Sequence, residues 1–176
     1  MIGRLEQRPR KALRQPAAQG NGFSLIEVIV VVVIILIIAA IAIPRLLRSK
    51  EAANEASAVH ALRVVTTAQV TYDATYSQGF APTLLALGPP PPGSQASAAH
   101  ADLVDEVLSS GIRNGYNYAY VAIDNAGSGK PDAYTVNANP VSPGQTGERY
   151  FFVDQTNVIR YALGGPANSS SAPVPQ

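Results

Sequence analysis

Sixteen consecutive residues, Val28 to Ile43, carry no polar side chain, and counted from Phe23 the run holds 19 apolar residues in 21. As an α-helix at 1.5 Å per residue such a run reaches about 32 Å, against a bilayer hydrocarbon core of about 30 Å. Its many β-branched residues would favour a strand in water. The run is nevertheless far longer than a usual strand, and lipid requires backbone groups to be satisfied within the segment. The pattern therefore predicts a membrane-spanning helix over 23–47. Pro44 closes the unbroken run. Proline removes a backbone donor and disfavours helix in the residue before it, so a kink and a helix end at Pro44 are both open.

Beyond Pro44 the period changes. Ala52, Ala56, Val59, Leu62, Val65, Ala68, Tyr72 and Tyr76 recur three or four apart, while Glu51, Asn54, Glu55, His60, Arg63 and Asp73 fall largely on other faces. This predicts an amphipathic continuation of the helix over 48–77, stopped before Gly79, whose apolar stripe carries a small head. The head, 78–163, reads as a helical turn over Pro82–Leu87, a stiff extended Pro89–Ser94, and a second short helix over Ala98–Ser109. Strands follow at Tyr116–Ile123, Ala133–Ala138, Arg149–Val153 and Val158–Tyr161, the last two forming a hairpin with Asn157 in a left-handed conformation. The expected fold is α+β, a long N-terminal helix packed on an antiparallel sheet of about four strands. Residues 164–176, rich in Gly, Pro, Ser and Ala, are expected to be a flexible tail.

Charge divides the chain at residue 22. Residues 1–22 carry five basic groups and one acidic, a balance of +4, while the remainder carries −3. The positive-inside rule then puts the N-terminus in the cytoplasm, although Arg45, Arg48 and Lys50 on the far flank weaken the bias. Charged residues are 14% of the chain, against about 25% in soluble domains. No downstream cluster of Lys and Arg suits nucleic acid. The absence of Cys excludes disulfides, thiolate metal sites and cysteine nucleophiles. Outside the apolar run there is material for one small core.

Glu27 interrupts the run. A carboxylate near the bilayer centre costs on the order of 3 kcal/mol, while the 16 Leu, Ile, Val and Phe residues of 23–43 contribute about −5 to −10 kcal/mol, so insertion succeeds. Glu27 is tolerated, yet it needs a partner. The plainer readings are a carboxylate that reaches interfacial water or one that complements a helix N-terminus. Ala40-Ile41-Ala42 has the form of a signal-peptidase site, but the apolar core is long for a secretory signal and contains the glutamate.

The junction Gly22-Phe23-Ser24-Leu25-Ile26-Glu27-Val28 resembles the processing site of type IV pilins and of the pseudopilins of type II secretion. The resemblance covers about residues 18–50 in detail. It implies a prepilin peptidase that cuts between Gly22 and Phe23, N-methylation of Phe23, and retention of Glu27 as the glutamate used in filament assembly. Pro44 looks like the proline found 22 residues into the mature chains of major pilins and pseudopilins. The implied fold is the pilin-like α+β architecture, with residues 1–22 as a cleaved leader.

The resemblance further implies a homo-oligomeric helical filament, the prepilin peptidase and methylase, an inner-membrane assembly platform and the bacterial inner membrane as partners. The expected path is a single-pass inner-membrane precursor that becomes an extracellular pilus, or a periplasmic fibre if the chain is a secretion pseudopilin. The lack of Trp and of an acidic loop near the C-terminus favours the pilus over the pseudopilin, while the lack of a cysteine pair departs from many pilins. A third reading is a monomeric, membrane-anchored binding module.

Other candidates carry less. His60 and His100 stand in no metal-ligand or relay spacing. Asp124 to Asp132 offers oxygen ligands but lacks the alternating acidic spacing of a calcium loop and contains Lys130, and Gly127-Ser128-Gly129-Lys130 lacks the spacing of a phosphate loop. Asn168-Ser169-Ser170 has the form of a glycosylation acceptor. No acid, base and nucleophile constellation points to an enzyme, and no metal or cofactor is expected. Forty-eight residues without an aromatic separate Phe23 from Tyr72, about 73 Å of helix, which disfavours electron conduction along one chain.

Overall fold

A computed structural model describes residues 22–175; all of the leader except Gly22 lies outside the described residues. Helix α1 runs Leu25–Tyr76, 52 residues, and includes Pro44, so the helix does not end there. The chain divides at Ile41 and Ala42 into two units. In the first, the side chains from Val28 to Ile38 are all exposed, the large apolar ones among them by 47–62%.

In the second unit the later part of α1 packs on an antiparallel sheet. A 3-10 turn at Leu85–Leu87 and the short helix α2, Glu106–Ser109, precede six strands: β1 Ile112–Arg113, β2 Tyr116–Ile123, β3 Ala133–Pro140, β4 Arg149–Asp154, β5 Arg160–Leu163 and β6 Ala172–Pro173. The strands pair in sequence order. Local sequence explains this meander. Tyr116 and Tyr118 alternate inward against exposed Asn117, Ala119 and Val121 on β2, the period of a half-buried strand. Asn114 and Gly115 both take positive φ, 47° and 75°, the two-residue turn that joins β1 to β2. Tyr72, Leu62 and Val65 of α1 meet Tyr116, Tyr134, Val136, Phe151 and Val153 of the sheet, with Leu87 and Leu108 beside them, in one core.

Several expectations are corrected. The sheet has six strands, since β1 and β6 are two-residue edge strands too short to leave an apolar pattern. The last long strand begins at Arg160, not Val158, because Asn157 at φ 62° and the following residues still belong to the turn. Residues 98–105 are not helical. Their backbone donors go instead to the 3-10 segment, Ala101 N–H to the Ala86 carbonyl and Leu103 N–H to that of Leu87, both at 2.8 Å. Asp105 then caps α2 by accepting from the Leu108 N–H at 2.9 Å. The C-terminal segment does not stay away from the fold. Ala172 and Pro173 pair with β5, Ala167 is buried, and Asn137 donates to the Ala167 carbonyl at 2.7 Å.

The buried face of α1 keeps Leu62, Val65, Ala68 and Tyr72 of the predicted stripe and departs from it in the rest. Ala52 and Ala56 are exposed, whereas Glu55, Ala58, Ala61 and Gln69 are buried. Polar residues are tolerated there because each finds hydrogen-bond partners. Gln69 accepts from the Ala81 N–H at 2.8 Å and donates to the Tyr120 hydroxyl at 2.9 Å. A Gln69→Leu chain should therefore lose about 1–3 kcal/mol of head stability, because the buried Ala81 donor is left unpaired. Chemical unfolding of the full chain in detergent measures this.

Glu55 makes the head sensitive to acid. Burial raises its carboxyl, but the Glu148 N–H, the Arg149 side chain and the Arg149 N–H outweigh that, and its pKa lies below the ordinary 4.5. The folded state thus holds this proton less tightly than the unfolded chain, so the contribution is complete above about pH 4.5 and is lost as pH falls through the depressed value. Buried tyrosines make it sensitive to alkali. Burial pushes Tyr118 and Tyr134 up to about 12, and raises Tyr116 and Tyr120 further. Stability should hold below the ordinary tyrosine value and fall as pH rises through the raised ones. Near-ultraviolet circular dichroism across pH is expected to show a plateau bounded on both sides.

Candidate assembly helix and processing junction

Gly22, Phe23 and Ser24 are non-helical, and α1 begins at Leu25. The Ser24 carbonyl accepts from the Glu27 N–H at 3.1 Å and the Val28 N–H at 3.3 Å, so Ser24 occupies the N-cap position that serine favours. The peptide bond between Gly22 and Phe23 therefore lies outside the helix, in chain that a protease can bind without first unwinding a turn. Nothing within 4 Å would meet a Cβ built on Gly22, and Phe23 is 81% exposed.

Glu27 falls in the first turn of α1. A carboxylate there complements the unsatisfied N–H groups of the helix start. Its side chain is exposed and makes no side-chain hydrogen bond or ion pair with a described residue. Pro44, the fourth candidate, sits within α1 in the second unit, where it contributes no N–H to the helix ladder. The structure brings Phe23 and Glu27 to one helix start and leaves Pro44 away from that junction in sequence.

The helix beyond the junction is apolar all round. Its most apolar 18-residue window has a mean hydropathy of 3.5 with none of it buried, and α1 is long and apolar enough to cross a membrane. The exposed Val, Ile and Leu side chains of Val28–Ile38 form a larger apolar surface than soluble monomers ordinarily leave in water.

The remaining candidates resolve into local structure. Asp124 accepts from the Ser128 N–H at 3.1 Å and the Gly129 N–H at 2.7 Å. Slight desolvation raises its carboxyl, and these backbone donors together with Gly127 bring it below its ordinary value. The carboxylate is thus occupied in shaping the β2–β3 turn. Asp132 likewise accepts from Asn125, backbone and side chain, at 2.9 Å. Among the described residues no group of three or more His, Asp or Glu is placed to hold a metal. Asn168 is exposed and its Oδ1 accepts from the Ser170 N–H at 2.9 Å.

Sequence reasoning missed the clasp of the head. Glu55 Oε1 accepts from the Glu148 and Arg149 N–H groups at 2.9 and 3.1 Å, and Oε2 from Arg149 Nε at 2.7 Å. Its signal was an acidic residue on the inner edge of an amphipathic helix, which periodicity alone assigns to solvent.

A family model described as a prokaryotic N-terminal methylation motif matches residues 19–43. No curated protein and no solved structure matches the chain.

Proposed function

We propose that this chain, which carries at residues 19–43 the prokaryotic N-terminal methylation motif typical of type IV pilins and pseudopilins, is the precursor of a structural subunit of a type IV pilus. The observation that carries the reading is the matched junction at the start of a helix whose apolar surface is exposed on every side. A prepilin peptidase cuts between Gly22 and Phe23 on the cytoplasmic side, and the new amine of Phe23 is methylated. The apolar part of α1 first anchors the subunit in the inner membrane, then becomes the packed core of a fibre. Such a contact is heterologous and does not close, which generates filaments and not rings.

In the fibre the Glu27 carboxylate of one subunit meets the Phe23 amine of its neighbour. In a low-dielectric core an unpaired charge is costly, so the pair sets axial register. The chain has no enzymatic role in this reading; it is the building material, and the inner-membrane platform drives extrusion. Deletion in the native host separates the two kinds of fibre. Loss of surface filaments on electron microscopy with secretion intact supports a pilus, and loss of exported enzymes with filaments intact assigns the chain to a secretion pseudopilus.

A further inference from the structure

Three basic residues follow the apolar run at once: Arg45, Arg48 and Lys50. All three are exposed, and none forms an ion pair or side-chain hydrogen bond with a described residue, where the ion pairs are Arg113–Asp105 and Arg149–Glu55. Arg48 shares a shallow groove with Glu51 and Glu148 without pairing to either. On the head-side flank of a span, such charges oppose the orientation that the basic leader favours. Beside a bilayer, their charges face the headgroup layer.

The geometry points to anionic phospholipid headgroups of the leaflet on the head side of the span, and we propose that Arg45, Arg48 and Lys50 form a collar that binds them. At about 100° per residue the three side chains leave the helix about 140°, 160° and 60° apart, around its whole circumference. A partner helix would be met by a stripe on one face; headgroups can reach the several faces that Gly144 and Glu148 of the head, beside Arg48, leave open. The depth agrees as well. From Arg45 to Lys50 the helix rises about 7.5 Å, and the headgroup layer on each side of a bilayer is about 5–8 Å thick. Arg45 stands two residues after Ile43, the last residue of the apolar run, so the collar begins where the hydrocarbon ends. Guanidinium and ammonium groups donate several hydrogen bonds each to phosphate oxygens and lose little by leaving bulk water for that layer. The collar fixes the depth of the stored subunit and is a contact that must be given up when the subunit leaves the membrane.

The inference rests on the membrane-spanning reading of α1 and not on filament assembly. Its test uses the full chain in vesicles of phosphatidylcholine with a minor share of phosphatidylglycerol, read by electron paramagnetic resonance of spin-labelled lipids of each kind. One basic side chain at a charged surface corresponds to about fivefold in local preference. The motionally restricted shell should accordingly favour phosphatidylglycerol over phosphatidylcholine by about fivefold or more, and the preference should weaken with salt. Replacing Arg45, Arg48 and Lys50 together by Gln should lower that preference by about fivefold or more, leaving the share that the basic leader contributes in the opposite leaflet. Replacing both arginines by Lys should keep it, which separates charge from local packing. Equal shells in the unaltered chain, or an undiminished preference in the triple Gln chain, overturns the proposal. Equal shells with self-crosslinking that the triple Gln chain loses would overturn it too, and assign the collar to a second copy. A chain whose processing fails still gives the lipid readout, so failure of the pilus reading and failure of this one are distinguishable.

Discussion

A Glu27→Ala chain is expected to insert in the membrane and fold its head normally, yet to enter filaments at least tenfold less than the unaltered chain. Insertion should improve slightly, because removing a carboxylate from the first turn of the apolar segment relieves part of the ~3 kcal/mol that such a group costs at the bilayer centre. The lost interaction belongs to assembly. A charge-assisted contact between the Glu27 carboxylate and a neighbouring Phe23 amine contributes about 1.5–3 kcal/mol, which is about 10- to 100-fold in the equilibrium for each added subunit. Glu27→Gln keeps a hydrogen-bond acceptor without the charge and should fall between the two. Quantifying the sheared surface fraction against the membrane pool, with each variant alone in a deletion background, reads the effect. Full filament yield from the alanine chain would assign Glu27 to the plainer role that its place in the first turn of α1 also permits.

The second large effect concerns the clasp between α1 and β4. Glu55 is 7% exposed and receives three donors, so truncation to Ala leaves two backbone N–H groups and the Arg149 side chain without their acceptor. The Arg149 side chain is 40% exposed and recovers water; the backbone groups recover less. The expected loss is about 2–3 kcal/mol, a fall in Tm of several degrees. Arg149→Ala should cost less. Glu55 stays buried in that variant, but it keeps its two backbone donors. What else is lost is the place of the guanidinium near the rings of Phe151 and Tyr161, 5.9 and 5.8 Å from the ring centres.

The double variant should cost less than the sum of the single ones, since both remove one shared contact. Thermal unfolding at neutral pH and at pH 3 distinguishes this from a packing defect. The gap between the unaltered chain and Glu55→Ala should narrow in acid, because below about pH 4.5 the unfolded chain takes up a proton that the native carboxylate holds less tightly.

These two residues also mark what could be read in the sequence. Glu27 can be singled out because it breaks a run with no other charge, and Gly22 and Phe23 because they fall within the matched motif. The helix from the apolar run to Tyr76 was legible from length and period, as were β2, whose aromatic residues alternate, and the left-handed Asn157. Glu55 and Gln69 were not, because the acceptors and donors that justify burying them lie far away in sequence: residues 148 and 149 for one, 81 and 120 for the other. A period counts apolar side chains and cannot see a satisfied polar one. The same limit hid the docking of the C-terminal segment, which is held by backbone pairing to β5 and by Asn137, not by large apolar residues. The β1–β2 turn could have been found, since Asn114-Gly115 is the strongest short hairpin signal.

The most direct test of the central claim is the mass of the N-terminal peptide of the chain after coexpression with a prepilin peptidase. Cleavage at the junction predicts a terminal peptide that begins at Phe23 and carries one added methyl group on its amine, with residues 1–22 absent. A terminus still at Met1, or one that begins after Ala42, would contradict the account.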